Sequence, residues 1–123
     1  MSNENHQDAF KLMKRIIDSL PDAIAAVWQD VLLSSMESMS SSLLEKDILP
    51  YAIQKGSLSE TEENRCFCAR LLGSLTTRLS FQCIKVNFLQ KAIDLCQDTS
   101  LQVRKTMASE MVNFAKGLGY VYL

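Results

Sequence analysis

Glycine and proline are scarce in this chain, with four and two residues among 123. Turn-rich β folds need many of both, so the long uninterrupted segments point to helices. Histidine is rarer still: His6, close to the N-terminus, stands alone. Nucleophilic catalysis requires a base within reach of the nucleophile, and no serine sits in a glycine-flanked elbow. No glycine-rich loop is present to cradle phosphates. Carboxylate pairs such as Glu62-Glu63 lie beside expected helix starts, where capping and solvation account for them. These absences argue against an enzyme and imply no cofactor. Net charge is −1, and the lysines and arginines are scattered along the sequence. Nucleic-acid binding needs clustered positive charge to displace counterions, so it is not expected.

The opening MSNENHQDAF is polar rather than basic and then apolar, so it is not read as a secretory signal. No apolar run approaches the ~20 residues that span a bilayer. The expectation is a soluble cytoplasmic protein with no membrane partner. Cys66, Cys68, Cys83 and Cys96 are then expected to be reduced thiols. Residues two apart on a helix point ~200° apart, so Cys66 and Cys68 cannot easily share one ion. Cys83 and Cys96 lack ligand spacing. Thiols that pack as small hydrophobes are the simpler reading, with no metal.

What the chain does have is an internal repeat. Residues 48–79 read ILPYAIQKGSLSETEENRCFCARLLGSLTTRL, and residues 88–118 read FLQKAIDLCQDTSLQVRKTMASEMVNFAKGL. Leu49, Ala52 and Ile53 match Leu89, Ala92 and Ile93 at an offset of 40. Arg65, Ala69, Leu72, Leu75 and Leu79 match Arg104, Ala108, Met111, Phe114 and Leu118 at an offset of 39. The change of offset places one extra residue in the turn of the first segment. A period of about 40 with two helices per unit belongs to α-solenoids. An all-α fold is therefore expected. Isolated hairpins cannot bury their apolar stripes, whereas stacking removes them from water at ~25 cal/mol per Å².

Residues 1–7 read as a disordered tail. A first helix is expected over 8–20, with Phe10, Met13, Ile16, Ile17 and Leu20 at helical spacing. A second follows Pro21, carries Ile24, Val27, Trp28, Val31, Leu32 and Met36, and fades in the serine-rich stretch 34–42. Trp28 reads as core or inter-repeat filling. Ser42 and Glu45 have capping-box spacing for a third helix, which Gly56 ends. Pro50 inside it predicts a kink or a late start. Ser59 and Glu62 form a second such box, opening a fourth helix through Cys66, Ala69, Leu72, Leu75 and Leu79. A fifth is expected over 84–96. Asp98, Thr99 or Ser100 caps a sixth, ended by Gly117 and Gly119. The three hairpins are 8–40, which is divergent, 42–80 and 83–119, followed by a tail at 120–123 that reads as the start of a truncated further unit.

The unit LCQDTSLQVRKTMASEMVNFAKGLG resembles a HEAT repeat, whose mark is an aspartate in the turn and then valine and arginine opening the second helix. Here these are Asp98, Val103 and Arg104, with Arg65 retained in the middle unit and Ser59 near its aspartate position. By resemblance, the fold is a short right-handed, armadillo-like superhelix of about three HEAT-like hairpins. A ladder of hydrogen bonds would join adjacent turns, with Asp98 meeting Arg65 or Arg104. The elements ILP, ARLLGSLT, LCQD, VR and AKGLG are similar to HEAT regulatory and scaffold subunits of type 2A protein phosphatases, including those serving protein phosphatase 4. That resemblance implies a non-catalytic scaffold whose partner is a serine/threonine phosphatase catalytic subunit. It also implies contact through the turns within repeats, here 19–22, 56–61 and 97–102, with Ser57, Ser59, Glu60, Gln97, Thr99 and Gln102 as candidate contact residues. The rival readings are a general adaptor that binds peptides or transport cargo along the second helices, and an enzyme with no nameable residues. The apolar ending, with Phe114, Leu118, Tyr120 and Val121, predicts self-association through an exposed solenoid end.

Overall fold

The computed structural model describes residues 3–118, with side chains from 5 to 116. Six helices fill the described residues: α1 Asn3–Ser19, α2 Asp22–Ser35, α3 over 41–55, α4 Glu62–Thr76, α5 over 81–96 and α6 Leu101–Leu118. Consecutive helices pair as α1 with α2, α3 with α4 and α5 with α6, and α4 contacts both α2 and α6. The result is an all-α solenoid of helical repeats. The core runs continuously through it, because α4 is flanked on both sides. Phe67, Cys68, Ala69, Leu71, Leu72 and Leu75 are all at most 1% exposed.

The second and third hairpins each begin on a serine. The Ser40 Oγ accepts the Leu43 N–H, and the Ser80 Oγ accepts the Cys83 N–H. These caps stand two and four residues before the expected starts at Ser42 and Ile84. Starting there brings Leu43, Leu44, Cys83 and Ile84 inward, all of them buried. Likewise α4 is capped by Thr61, whose Oγ1 accepts the Asn64 N–H, and not by Ser59. Helix α6 is capped by Ser100, whose hydroxyl accepts from Val103.

Helix α1 starts at Asn3, inside the stretch that reads as a disordered tail. Gln7 ties it down by donating from Nε2 to the Asp47 carboxylate at 3.2 Å. His6 is half-buried on this helix, with a buried Nδ1 that has no hydrogen-bond partner. At the other end α6 continues through Gly117, while Gly119 and the expected 120–123 tail lie outside the described residues.

The proline at position 50 produces no late start, since the helix is under way from Ser41. A wide i→i+5 turn over Leu44–Ile48 precedes it, closed by the Leu49 N–H on the Leu44 carbonyl. The same turn recurs over Ile84–Phe88, forty residues on and without a proline. It is thus a property of the repeat rather than of Pro50 alone.

Helix α2 is rotated from its expected face. It buries Ala25, Gln29 and Leu32, with Trp28 half-buried against the core, and leaves Ile24, Val27 and Val31 exposed. Gln29 is held inside by a long 3.5 Å bond to the Asn64 side chain.

Candidate protein-binding ridge

The turns within hairpins two and three lie side by side. The first, 56–61, is two residues longer than the second, 97–100. One of these is the extra residue seen in the repeat offset. The other arises because Gly56 stops α3 one residue earlier than its counterpart Cys96 stops α5. Gly56 does so with φ −88 and ψ 4, not in a left-handed conformation. Glycine is required there by close approach: an added Cβ would lie 2.7 Å from the Cys68 Sγ and 2.6 Å from the Lys91 Cε.

The longer turn throws Leu58 outward, 81% exposed. Between the two turns lies a cavity of about 370 Å³, lined by Gly56, Leu58, Lys91, Asp94, Gln97 and Thr99 among others. The exposed leucine stands on the turn next to a lysine with no ion pair among the described residues. Sequence reasoning overlooked Leu58 and Lys91. The available signal was an apolar residue flanked by serines in a segment with no helical stripe to join.

The residues singled out in sequence are distributed unevenly. Gln97 and Thr99 are exposed and line the cavity. Ser57 and Ser59 sit with hydroxyls 2.9 Å apart, fastening the longer turn to itself. Glu60 accepts from the Asn64 side chain at 2.8 Å, so its carboxylate faces back to α4. Gln102 is on the first turn of α6, outside the cavity lining, where its carbonyl accepts from Thr106.

Behind the ridge stands a two-pronged ion pair. The Arg65 Nε donates to the Asp98 Oδ2 at 2.9 Å and its Nη2 to Oδ1 at 3.1 Å, joining hairpins two and three. The two side chains are 12% and 2% exposed, so the contact is desolvated and fork-shaped. The Asp98 Oδ1 also accepts the Ser100 N–H. Burial alone would raise the Asp98 pKa, but the bonds from Arg65 and Ser100 prevail and hold it below the usual carboxylate value. The bond to Asp98 raises Arg65 in turn, against the opposing effect of burial. Arg104 takes a different place. Its Nη1 donates to the Asp98 carbonyl oxygen at 2.7 Å, as the Arg65 Nη1 does to the Glu60 carbonyl. Each arginine braces the turn of its own hairpin, and only Arg65 also reaches across.

The thiols do not converge. Cys66 is half-buried with its Sγ 3.7 Å from the Thr106 hydroxyl. Cys68 is fully buried behind Gly56, where desolvation pushes its pKa up to about 12. All four cysteines are free. Among the described residues no group of three or more His, Cys, Asp or Glu is placed to hold a metal ion, and no helix is long and apolar enough to cross a membrane.

The fold defines a helical-repeat protein in which the turns of hairpins two and three form one ridge. The particular likeness is to serine/threonine-protein phosphatase 4 regulatory subunit 4. The mouse protein (Mus musculus) is 31% identical over 96 residues, 78% of this chain and 11% of its own length. The human protein (Homo sapiens) is 32% identical over 96 residues, with the same shares. The chain thus matches about a ninth of the length of these curated relatives, both of which are regulatory subunits by name. No family model and no solved structure matches it.

Proposed function

We propose that this chain is a non-catalytic HEAT-repeat scaffold or regulatory element of a type 2A phosphatase complex of the protein phosphatase 4 kind. It acts in the cytoplasm by holding a serine/threonine phosphatase catalytic subunit. The observation that carries this reading is the similarity to a phosphatase regulatory subunit over 78% of the chain. Three HEAT-like units, 8–40, 42–80 and 83–119, would supply stiffness, with Arg65, Asp98 and Arg104 bracing the turns. The ridge around Leu58, Gln97 and Thr99 supplies the contact. Its mechanism is positional, raising the effective concentration of what it holds.

Purified chain and recombinant protein phosphatase 4 catalytic subunit should associate in a surface-binding assay. Leu58→Ser should weaken that association about tenfold or more, as loss of an anchoring apolar side chain does. No association, or association indifferent to Leu58→Ser and Thr99→Arg alike, rejects the reading.

The adaptor reading has one observation of its own. Ile24, Val27 and Val31 are exposed on α2, beside an open depression of about 510 Å³ lined by Val27, Asp30, Val31, Ser34 and Ser35. Peptide binding that Val27→Ser and Val31→Ser abolish, with the catalytic subunit unbound, would favour it.

A further inference from the structure

Lysines scattered in sequence meet where α1 packs against α3. Lys11 and Lys14 come from α1 and Lys46 from α3, and all three line a cavity of about 280 Å³. Phe10, Pro50 and Tyr51 form its apolar wall. The Lys14 Nζ stands 5.4 Å from the centroid of the Tyr51 ring. That ring is fixed from below: its hydroxyl donates to the Asp18 carboxylate at 2.9 Å, and Phe10 and Phe67 both meet it edge-on. Lys55 also approaches the ring, but Asp18 neutralises it at 2.8 Å.

The other three ammonium groups have no such partner. None of Lys11, Lys14 and Lys46 makes an ion pair among the described residues. The one carboxylate in the lining, Asp47, already accepts from Gln7. Two positive charges are therefore left uncompensated around a small half-apolar cavity, on a chain whose net charge is −1. Holding like charges together is unfavourable unless an anion joins them. A carboxylate would offset one of the two. A phosphate monoester carries about −1.5 to −2 at neutral pH and offers three acceptor oxygens, one for each lysine.

We propose that this cavity binds the phosphorylated side chain of a phosphoserine-containing peptide. The lysines engage the phosphate, Gln54 at the rim offers a polar contact, and Pro50 and Tyr51 pack against the peptide. The site is built by the first helices of two hairpins and not by their turns. It therefore does not depend on the phosphatase reading, and its failure would leave that reading untouched.

The test is a titration of the full 15N-labelled chain, followed by backbone amide shifts, with three pentapeptides that differ only at the centre: phosphoserine, serine and glutamate. The expected result is saturable shifts on α1 and α3 with the phosphoserine peptide, weakening as salt rises. The glutamate peptide should bind about tenfold more weakly, and serine not at all. Lys14→Gln combined with Lys46→Gln should cut phosphoserine affinity at least about tenfold while the far-ultraviolet helical signal stays unchanged. Lys105→Gln combined with Lys116→Gln, the same charge change on α6, should not. Equal binding of phosphoserine and serine, shifts located elsewhere, or equal losses in both double variants overturn the proposal. Equal affinity for glutamate overturns the phosphate in favour of a plain carboxylate.

Discussion

Gly56 is the residue whose smallness the ridge depends on. Substituting alanine places a methyl against the buried Cys68 Sγ, which has little room to withdraw, and against the Lys91 Cε, which has more. Gly56→Ala should therefore destabilise the chain by about 1–3 kcal/mol, the range for an overpacked site, as read in a urea melt. Asp98 is the opposite case, a group whose removal leaves something behind. Asp98→Ala strands the Arg65 guanidinium and the Ser100 N–H together, and should cost about 3 kcal/mol. A double-mutant cycle should show strong coupling of Asp98 with Arg65. Coupling with Arg104, which grips only the Asp98 backbone carbonyl, should be weaker. The pH dependence follows from the depressed Asp98 pKa. The contribution is fully present above the unfolded value near 4 and is lost as pH falls through the lower folded value. Wild type should thus lose more stability than Asp98→Asn between about pH 5 and pH 2 in parallel melts. The pairing of Asp98 with an arginine near it was legible through the resemblance to a HEAT repeat, since the arginine recurs in both units while Ser59 stands near the aspartate position of the middle one. Which arginine takes the carboxylate and which the carbonyl was not legible, because that depends on how far one hairpin is shifted against the next.

Helices were legible wherever apolar residues recur at helical spacing, and this covers all six. Their first residues were not. Around Ser42 and Ser59 several hydroxyl residues stand within a few positions, and each offers a cap. The choice falls to the one that turns the next apolar pair inward, namely Ser40 for Leu43 and Leu44. The wide turns over Leu44–Ile48 and Ile84–Phe88 have no residue signature at all. The start of α1 was hidden for a different reason. Its polar composition reads as a tail, whereas the tertiary bond from Gln7 to Asp47 shows that it is anchored. One inter-helix contact makes a sharp prediction. Arg78, just past α4, donates to the backbone carbonyls of Met36, Glu37 and Met39 at 2.8, 3.3 and 2.5 Å. It thereby clamps the short turn over Met36–Ser38 that follows α2, where the Met36 carbonyl also accepts the Met39 N–H. Arg78→Met keeps the apolar stem and removes the donors. It should cost about 1.5–3 kcal/mol, as charged hydrogen bonds do, and should raise amide exchange at the end of α2 before that of α6.

At the scale of the whole molecule the two ends of the array differ. On α4, which α6 packs against, Ala69, Leu72 and Gly73 are all buried, Gly73 beneath Glu110 of α6. Their counterparts on α6 at an offset of 39 are Ala108, Met111 and Val112, which are exposed, the last two at 38% and 61%. Together with Ile93 at 40% they form an apolar face on the third hairpin. Phe114, expected to be part of such a face, is instead buried edge-on against Phe88. Tyr120 and Val121 lie outside the described residues. The exposed set still supports association through this end. Sedimentation across a concentration series should show self-association of the wild type, and Met111→Ser with Val112→Ser should shift it toward monomer. A monomer at every concentration before substitution removes the idea.

The longer turn at 56–61 also gives the chain a place where it can be cut without coming apart. Leu58 is the most open apolar side chain among the described residues, so chymotrypsin should nick there first. The two pieces would still be clasped by the Tyr51 ring against Phe67, by Arg70 on Asp30, and by Arg78 on the carbonyls beyond α2. The nicked protein should elute as one species on gel filtration and separate only in denaturant. The same break would make this small solenoid divisible into two halves that restore each other, a natural split reporter.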